Sequence, residues 1–126
     1  MKKPFYLMLL LATMLTFTAC SNDKNALSGT TWTSLFVDEL FVIEFEDNGK
    51  VSGFIADVNG NIKGKVYYGT YAFTNNSITL NDFYIVNSFR FYFTNGTVSG
   101  NNMTLNYYFK YDNGNRYDSQ RTFRKQ

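Results

Sequence analysis

The sequence predicts an all-β protein in which eight antiparallel strands form an up-and-down barrel. Three observations support this: apolar and polar residues alternate with period two from Thr31 onward, Asn and Gly interrupt the alternation at short intervals, and no stretch keeps a helical period. Asn and Gly tolerate the positive φ of tight hairpin turns, so almost every connection is expected to be short and antiparallel. A meander needs no long crossover, unlike a Greek key, and closing it into a barrel removes the exposed strand edges.

The turn-forming segments set the strand boundaries. They are Asp47-Asn48-Gly49, Asn59-Gly60-Asn61, Asn75-Asn76, Asn95-Gly96, Gly100-Asn101-Asn102 and Asp112-Asn113-Gly114-Asn115. Strands are expected near residues 31–37, 40–46, 50–57, 64–74, 77–86, 89–99, 102–111 and 116–125. Because Asn95-Gly96 falls inside the sixth strand, it predicts either a bulge there or a split into a separate hairpin.

The alternation assigns one side of each strand to the core. The residues expected to point inward are Phe41, Ile43 and Phe45 in the second strand, Phe89, Phe91 and Phe93 in the sixth, and Met103, Leu105, Tyr107 and Phe109 in the seventh. Their neighbours in the chain, such as Tyr92 and Tyr108, are expected on the outer face. So many large inward rings predict a small or absent internal cavity.

The first nineteen residues indicate a secretory signal peptide. Two lysines follow Met1, and residues 5–17 form an apolar run broken only by Thr13 and Thr16. The run is shorter than the roughly 20 residues that a membrane-spanning helix needs, which favours a signal peptide over a transmembrane anchor.

The motif that ends this segment, Phe17-Thr18-Ala19-Cys20, resembles the lipobox of bacterial lipoproteins. In that family the cysteine becomes the lipid-carrying first residue of the mature protein, and Cys20 is the only cysteine in the chain. The resemblance implies a signal peptide over residues 1–19, a lipidated cysteine and tether over 20–27, and the barrel domain over 28–126. It also implies that acyl chains such as palmitate hold the protein in the cell envelope, at the outer membrane, without a spanning helix.

The charge balance argues against a nucleic-acid partner. The chain has 12 basic and 10 acidic residues, and removal of the signal peptide takes away Lys2 and Lys3, so the mature protein is expected to be neutral. A neutral domain with interspersed charges has no electrostatic footprint for nucleic acid. The membrane contact is therefore expected to come from the lipid alone.

The residue inventory argues against an enzyme. The chain has no His and one Cys, which removes the commonest general base and every CxxC-type zinc site. Asp57, Asn59 and Asn61 begin like a calcium loop, but Gly60 stands at the fourth position instead of the sixth and no Glu closes the loop. This segment therefore predicts a hairpin turn, and no catalytic residue, metal or cofactor is expected.

Four segments carry a second resemblance: Leu27-Ser28-Gly29-Thr30-Thr31-Trp32, Gly69-Thr70-Tyr71, Ile78-Thr79-Leu80 and the closing Phe123-Arg124-Lys125. Residues 27–126 look like the small lipocalin-like lipoproteins of Bacteroidota-type bacteria. The resemblance implies that a basic residue of the last strand, Arg121 or Arg124, lies over the ring of Trp32. The alternative is that Trp32 simply fills the core near an open end of the barrel. Either interpretation gives Trp32 a structural role.

Two functions from different classes stay open. The first is a non-catalytic binding module for a small apolar ligand or a glycan, and the resemblance favours it; the ligand would lie against Phe41, Phe45, Tyr71, Phe91 and Tyr107. The alternative is a structural or protein-interaction lipoprotein, an inhibitor or part of a surface assembly, whose barrel is filled solid. Outward tyrosines such as Tyr92 and Tyr108 would then meet the partner. The volume left inside the barrel discriminates between the two.

The lipobox-like motif generates the first prediction. Replacing Cys20 by Ser is expected to leave the protein unprocessed or released from membranes without changing its fold, because the acyl chains attach at that sulfur. Mass spectrometry of the membrane fraction should show a lipidated N-terminus at Cys20. A mature N-terminus at any other residue would contradict the prediction.

Overall fold

The structure, a computed structural model, describes residues 26–126; these residues contain β-strands and turns and no α-helix. The strands are β1 (Thr31–Phe36), β2 (Glu39–Phe45), β3 (Lys50–Asp57), β4 (Ile62–Thr74), β5 (Ser77–Asn81), β6 (Tyr84–Asn87), β7 (Phe89–Ser99), β8 (Asn102–Lys110) and β9 (Arg116–Lys125). No helix in this part of the chain is long and apolar enough to cross a membrane. The predicted signal peptide, Cys20 and most of the predicted tether lie outside the described residues.

All strands belong to one antiparallel sheet that closes on itself. The strand order is β5-β4-β3-β2-β1-β9-β8-β7-β6, and β5 also pairs with β7. The first and last strands meet at Trp32 opposite Lys125 and Thr33 opposite Arg124. Because β5 and β6 together occupy one position in the wall, the protein is a closed eight-stranded up-and-down barrel, and the predicted fold is confirmed.

The fifth barrel strand is broken, which corrects the prediction of a continuous strand over 77–86. The break falls at Asp82, which has a positive φ of 53°, and Phe83, and it separates β5 from β6. Phe83 packs directly on the backbone of the neighbouring strands: a Cβ on Gly53 would lie 2.7 Å from its ring, and a Cβ on Gly69 would lie 2.7 Å from its own Cβ. Only glycine allows so close an approach, so Phe83 leaves the regular strand to fill this space.

The sixth predicted strand contains the expected irregularity as a bulge. In the pairing of β7 with β8, Phe93 lies opposite Tyr107 and Asn95 opposite the next residue, Asn106. Thr94 is therefore the extra residue on β7. The strand continues without splitting, and the bulge restores the alternation of inward and outward side chains beyond it.

The inward residues form one aromatic core. Phe41, Ile43, Phe45, Phe91, Phe93, Met103, Leu105, Tyr107 and Phe109 are all buried, as the alternation predicts. Phe89, also predicted inward, contacts Phe91 and Phe109 but remains 38% exposed at the end of the barrel. Leu27, which precedes the predicted start of the domain at Ser28, is 2% exposed and packs in this core.

Up-and-down topology gives the barrel two distinct ends. The hairpins β2–β3, β4–β5 and β7–β8 lie at one end together with both described chain termini; we call it the Trp32 end. The hairpins β1–β2, β3–β4, β6–β7 and β8–β9 lie at the opposite end, which we call the rim end. The predicted turn at Asp57 is confirmed, since its carboxylate accepts hydrogen bonds from the backbone N–H groups of Asn59 and Asn61, both at 2.9 Å.

The register of β7 generates a prediction that compares two adjacent residues. Phe91→Asp is expected to destabilise the domain by several kcal/mol because it buries an unpaired charge. Tyr92→Asp is expected to cost only about 1 kcal/mol, since Tyr92 is on the outer face and loses mainly aromatic contacts. Urea denaturation of both variants measures the difference. Equal midpoints would show that the register is wrong.

Candidate functional site

The five residues predicted to hold a ligand form two groups of contacting rings: Phe41, Phe91 and Tyr107 in one, Phe45 and Tyr71 in the other. The ring centroids of Phe41 and Phe91 are 5.3 Å apart, those of Phe91 and Tyr107 are 5.5 Å apart, and those of Phe45 and Tyr71 are 4.8 Å apart. The hydroxyl of Tyr71 donates a hydrogen bond to the backbone oxygen of Glu46 at 2.9 Å. These rings pack edge to face, as they do in a filled core.

Cavities are found elsewhere in the described part of the molecule. Four of about 280 to 430 Å³ lie at the Trp32 end and on the outer wall, and none of them is lined by these five residues. A ligand among the inward rings therefore stays a prediction, because it would have to separate side chains that touch one another in the structure.

Arg121 lies over the rings of Phe36 and Phe41 and not over the ring of Trp32. Its guanidinium carbon is 4.8 Å from the ring centre of Phe36 and 4.9 Å from that of Phe41. It also donates hydrogen bonds to Ser34 Oγ at 3.2 Å and to the backbone oxygen of Leu35 at 3.1 Å. Arg121 thus joins the last strand to the first, as predicted, but not through the ring of Trp32.

Trp32 fills the core at the opposite end from Arg121. Its side chain is buried, and its Nε1 donates a hydrogen bond to Thr30 Oγ1 at 2.8 Å. Lys125 is the residue of β9 opposite Trp32, and Arg124 occupies the next position, where the alternation turns its side chain outward. The expected contact of Arg121 or Arg124 with Trp32 is wrong because the register brings Lys125 to that place.

Four tyrosines form a continuous row on the outer wall, which we call the outer tyrosine row: Tyr67, Tyr84, Tyr92 and Tyr108. Successive ring centroids are 5.3, 5.5 and 4.8 Å apart, and the last two rings are nearly parallel, at 16°. The Arg116 guanidinium lies 3.8 Å from the centre of the Tyr108 ring and is held there by Asp118.

The faces of these rings are therefore largely occupied by their neighbours. Tyr108 lies between Tyr92 and Arg116, and the Arg90 guanidinium lies 4.6 Å from the centre of the Tyr84 ring. A hydrogen bond with Tyr92 raises the pKa of Arg90 above its ordinary value. Sugars stack on free aromatic faces, so the row is better suited to stiffening the wall by cross-strand pairing.

The rim end carries a different kind of surface. Of the nine large hydrophobic residues that are exposed in residues 26–126, eight lie on its four hairpins, two on each. We call this set the apolar rim; its members are Leu35, Val37, Val58, Ile62, Val86, Phe89, Tyr111 and Tyr117. Exposed apolar side chains concentrated at one end of a monomer often mark a contact with another molecule.

In the described part of the chain, the hairpin tips of the Trp32 end carry no exposed large hydrophobic side chain. Asp47, Asn48, Asn75, Asn76 and Asn101 occupy the turns there, and all five are exposed. Polar turn residues occur at the rim end as well, so the two ends differ in their exposed apolar side chains and not in the polarity of their turns. Hairpin chemistry alone does not require this, because polar turn residues serve equally well at either end.

Val37, in the β1–β2 turn of the apolar rim, has a backbone conformation that lowers local stability. It is 83% exposed and its φ is 60°, a left-handed conformation that a β-branched residue adopts only at a cost. Asn or Gly would relieve the strain, and Asn occupies the corresponding positive-φ positions at Asn75 and Asn76. An apolar side chain kept in a strained and exposed turn points to a contact outside the chain.

Packed rings and one polar cluster support the rim from below. Phe89 stacks on Phe109 at 4.6 Å, and Phe109 contacts Tyr117 at 5.1 Å. On the other side of the mouth, Glu39 forms an ion pair with Lys63 and accepts a hydrogen bond from Asn87 at 3.1 Å. Hydrogen bonding to Lys63 lowers the pKa of Glu39, and Glu39 in turn raises the pKa of Lys63. This cluster connects β2 with β4 and with β6. It lies where β4 and β6 form no backbone ladder with each other.

Sequence reasoning missed the rim because it examined strands and turns separately. The available signal was in the two turns that contain neither Asn-Gly nor Asn-Asn: Val37 with Asp38, and Ser88 before Phe89. Both belong to the same end of the barrel.

The described residues offer no metal site, and the chain has no match among known proteins. Residues 26–126 contain no group of three or more His, Cys, Asp or Glu that could hold a metal ion. No family model, curated protein or solved structure matches the chain. The candidate functional site is the apolar rim.

The contacts of Arg121 generate the third prediction. Arg121→Ala is expected to lower the free energy of unfolding by about 2 kcal/mol, because it removes two charged hydrogen bonds and a cation–π contact. Arg124→Ala, on the outer face of the same strand, should change it by less than about 0.5 kcal/mol. Urea titration followed by tyrosine fluorescence measures both. A larger loss for Arg124→Ala would refute the assignment.

Proposed function

We propose that this chain is a lipid-anchored, non-catalytic interaction protein whose filled barrel presents the apolar rim to a partner protein. The observation that carries the proposal is the concentration of exposed apolar side chains on four hairpins at one end. The barrel holds these hairpins in fixed relative positions. Such preorganisation lowers the entropic cost of binding.

The shape of the rim favours a protein over a small molecule. Its eight residues are spread over all four hairpins of one end, and none of them lines the cavities described above. Small molecules bind in concave sites that bury most of their surface, whereas proteins cover broad apolar patches with aromatic residues at their centre. Phe89, Tyr111 and Tyr117 provide those aromatic side chains.

The expected anchor agrees with this arrangement. Cys20 precedes Ala26, the first described residue, by six positions, and six residues extend over at most about 20 Å. Ala26 lines the cavity at the Trp32 end. A lipid on Cys20 would keep that end near the bilayer and leave the rim free to face away from it.

The ligand-carrier function has weaker support. We keep it as the second candidate only for sites other than the apolar rim. For a glycan, the feature in its favour is Tyr68, which is 68% exposed and lines a groove of about 300 Å³ with Asn81 and Asp82. That groove lies on the outer wall and does not explain the rim.

The fourth prediction tests the rim with a photo-crosslinker. We expect benzoylphenylalanine at Val58, irradiated in intact cells, to give one main crosslinked protein of defined mass, because Val58 lies among the rim residues. The same group at Asn76, on the opposite end, should give little of it. Val37→Asn, on the neighbouring hairpin, should reduce the Val58 product severalfold while preserving or raising the melting temperature, since Asn tolerates the left-handed turn.

Three outcomes would reject the proposal. Equal products from Val58 and Asn76 would show that the rim has no special role. Crosslinks mainly to phospholipid would make the rim a membrane contact, and crosslinks mainly to a second copy of this chain would make it a self-association surface.

A further inference from the structure

The Trp32 end contains a cavity of about 430 Å³, within the range that small-molecule sites occupy. Its apolar lining comes from Leu27, Trp32, Phe73 and Val98, and its polar lining includes Asn76 and Lys125. The apolar members come from the segment before β1 and from β1, β4 and β7. The cavity is thus lined by parts of the chain that are far apart in sequence and are brought together by barrel closure.

Some of the apolar side chains that line this cavity leave part of their surface exposed. Leu27 and Trp32 are buried and form its base, while Phe73 and Val98 are only half-buried. The one polar atom of the indole, Nε1, already donates its hydrogen bond to Thr30. The base therefore offers contact area to an apolar group and no unpaired indole donor.

Lys125 supplies a positive charge at the same cavity. No acidic group among residues 26–126 forms an ion pair with its ammonium. The acidic residues of this end are Glu44, Glu46 and Asp47; Asp47 accepts a hydrogen bond from Ser28, and none of the three lines the cavity. The combination is a single cation beside an apolar recess.

We propose that this cavity binds a small amphipathic carboxylate, with its apolar part against Phe73 and Val98 and its carboxylate at Lys125. The ammonium of the lysine pairs with one carboxylate charge, and the ring or chain carbons of the ligand pack on the apolar base. The site lies at the opposite end from the apolar rim. The inference consequently stands or falls independently of the proposed interaction function.

Trp32 provides the measurement, because it is the only tryptophan in the chain and lines this cavity. The full chain in detergent is titrated with 4-phenylbutyrate and, separately, with its neutral amide, 4-phenylbutanamide. A saturable change of Trp32 emission with one carboxylate per chain is expected. The amide should bind about threefold to fivefold more weakly, the loss expected for an exposed ion pair of about 1 kcal/mol.

Variants separate the two parts of the site. Lys125→Gln should weaken the carboxylate about threefold to fivefold and leave the amide unchanged. Val98→Phe should abolish the response to both by filling the recess. Arg124→Gln is the matched control: it removes a neighbouring basic side chain from the outer face and should change neither affinity.

Two results would overturn the inference. The first is the absence of a saturable change in Trp32 emission. The second is equal affinity for acid and amide together with no effect of Lys125→Gln, because either would mean that no anion is recognised here. The lysine variant alters an exposed residue, so it tests the site even if Val98→Phe fails to fold.

Discussion

Closure of the barrel depends on the packing of Phe83 against the backbones of Gly53 and Gly69. The fifth barrel strand consists of β5 and β6. Both halves pair with β7, but only β5 pairs with β4, and the strand bends at Asp82 between the two halves. The bend brings Phe83 so near the two glycines that any Cβ there would overlap it. Because β6 pairs with β7 but not with β4, the packing of Phe83 on these glycines fills the place where the strand ladder is interrupted.

A closed wall leaves little freedom for the aromatic residues, which make up 19% of the chain. Inward rings must fill the interior, because a closed antiparallel barrel sends every second side chain toward its axis. Several outward rings pair across strands, as Tyr92 does with Tyr108. The aromatic excess is therefore mainly structural, and it is the ends of the barrel that remain available for binding.

The two ends differ because alternate hairpins collect at each of them. The rim end combines apolar side chains from four hairpins with strain at Val37, and neither feature helps the domain to fold. The Trp32 end combines polar turns with a recess that carries the charge of Lys125. An anchor at Cys20 would place these surfaces at different distances from a membrane, so the molecule can hold two independent contacts.

The sequence by itself determined the fold class, the strand bounds to within a few residues and the inward face of β2, β7 and β8, because these follow from local alternation and turn chemistry. It also limited the bulge to two possibilities. Tertiary structure alone decided that Lys125 and not an arginine lies opposite Trp32, that Arg121 rests on Phe36 and Phe41, and that β5 ends at Asn81. Each of these depends on the register between strands distant in the chain or on an exact fit of side chain to backbone. The apolar rim was hidden for the same reason, since Val37, Val58, Phe89 and Tyr117 come to the same end of the molecule only when the strands assemble.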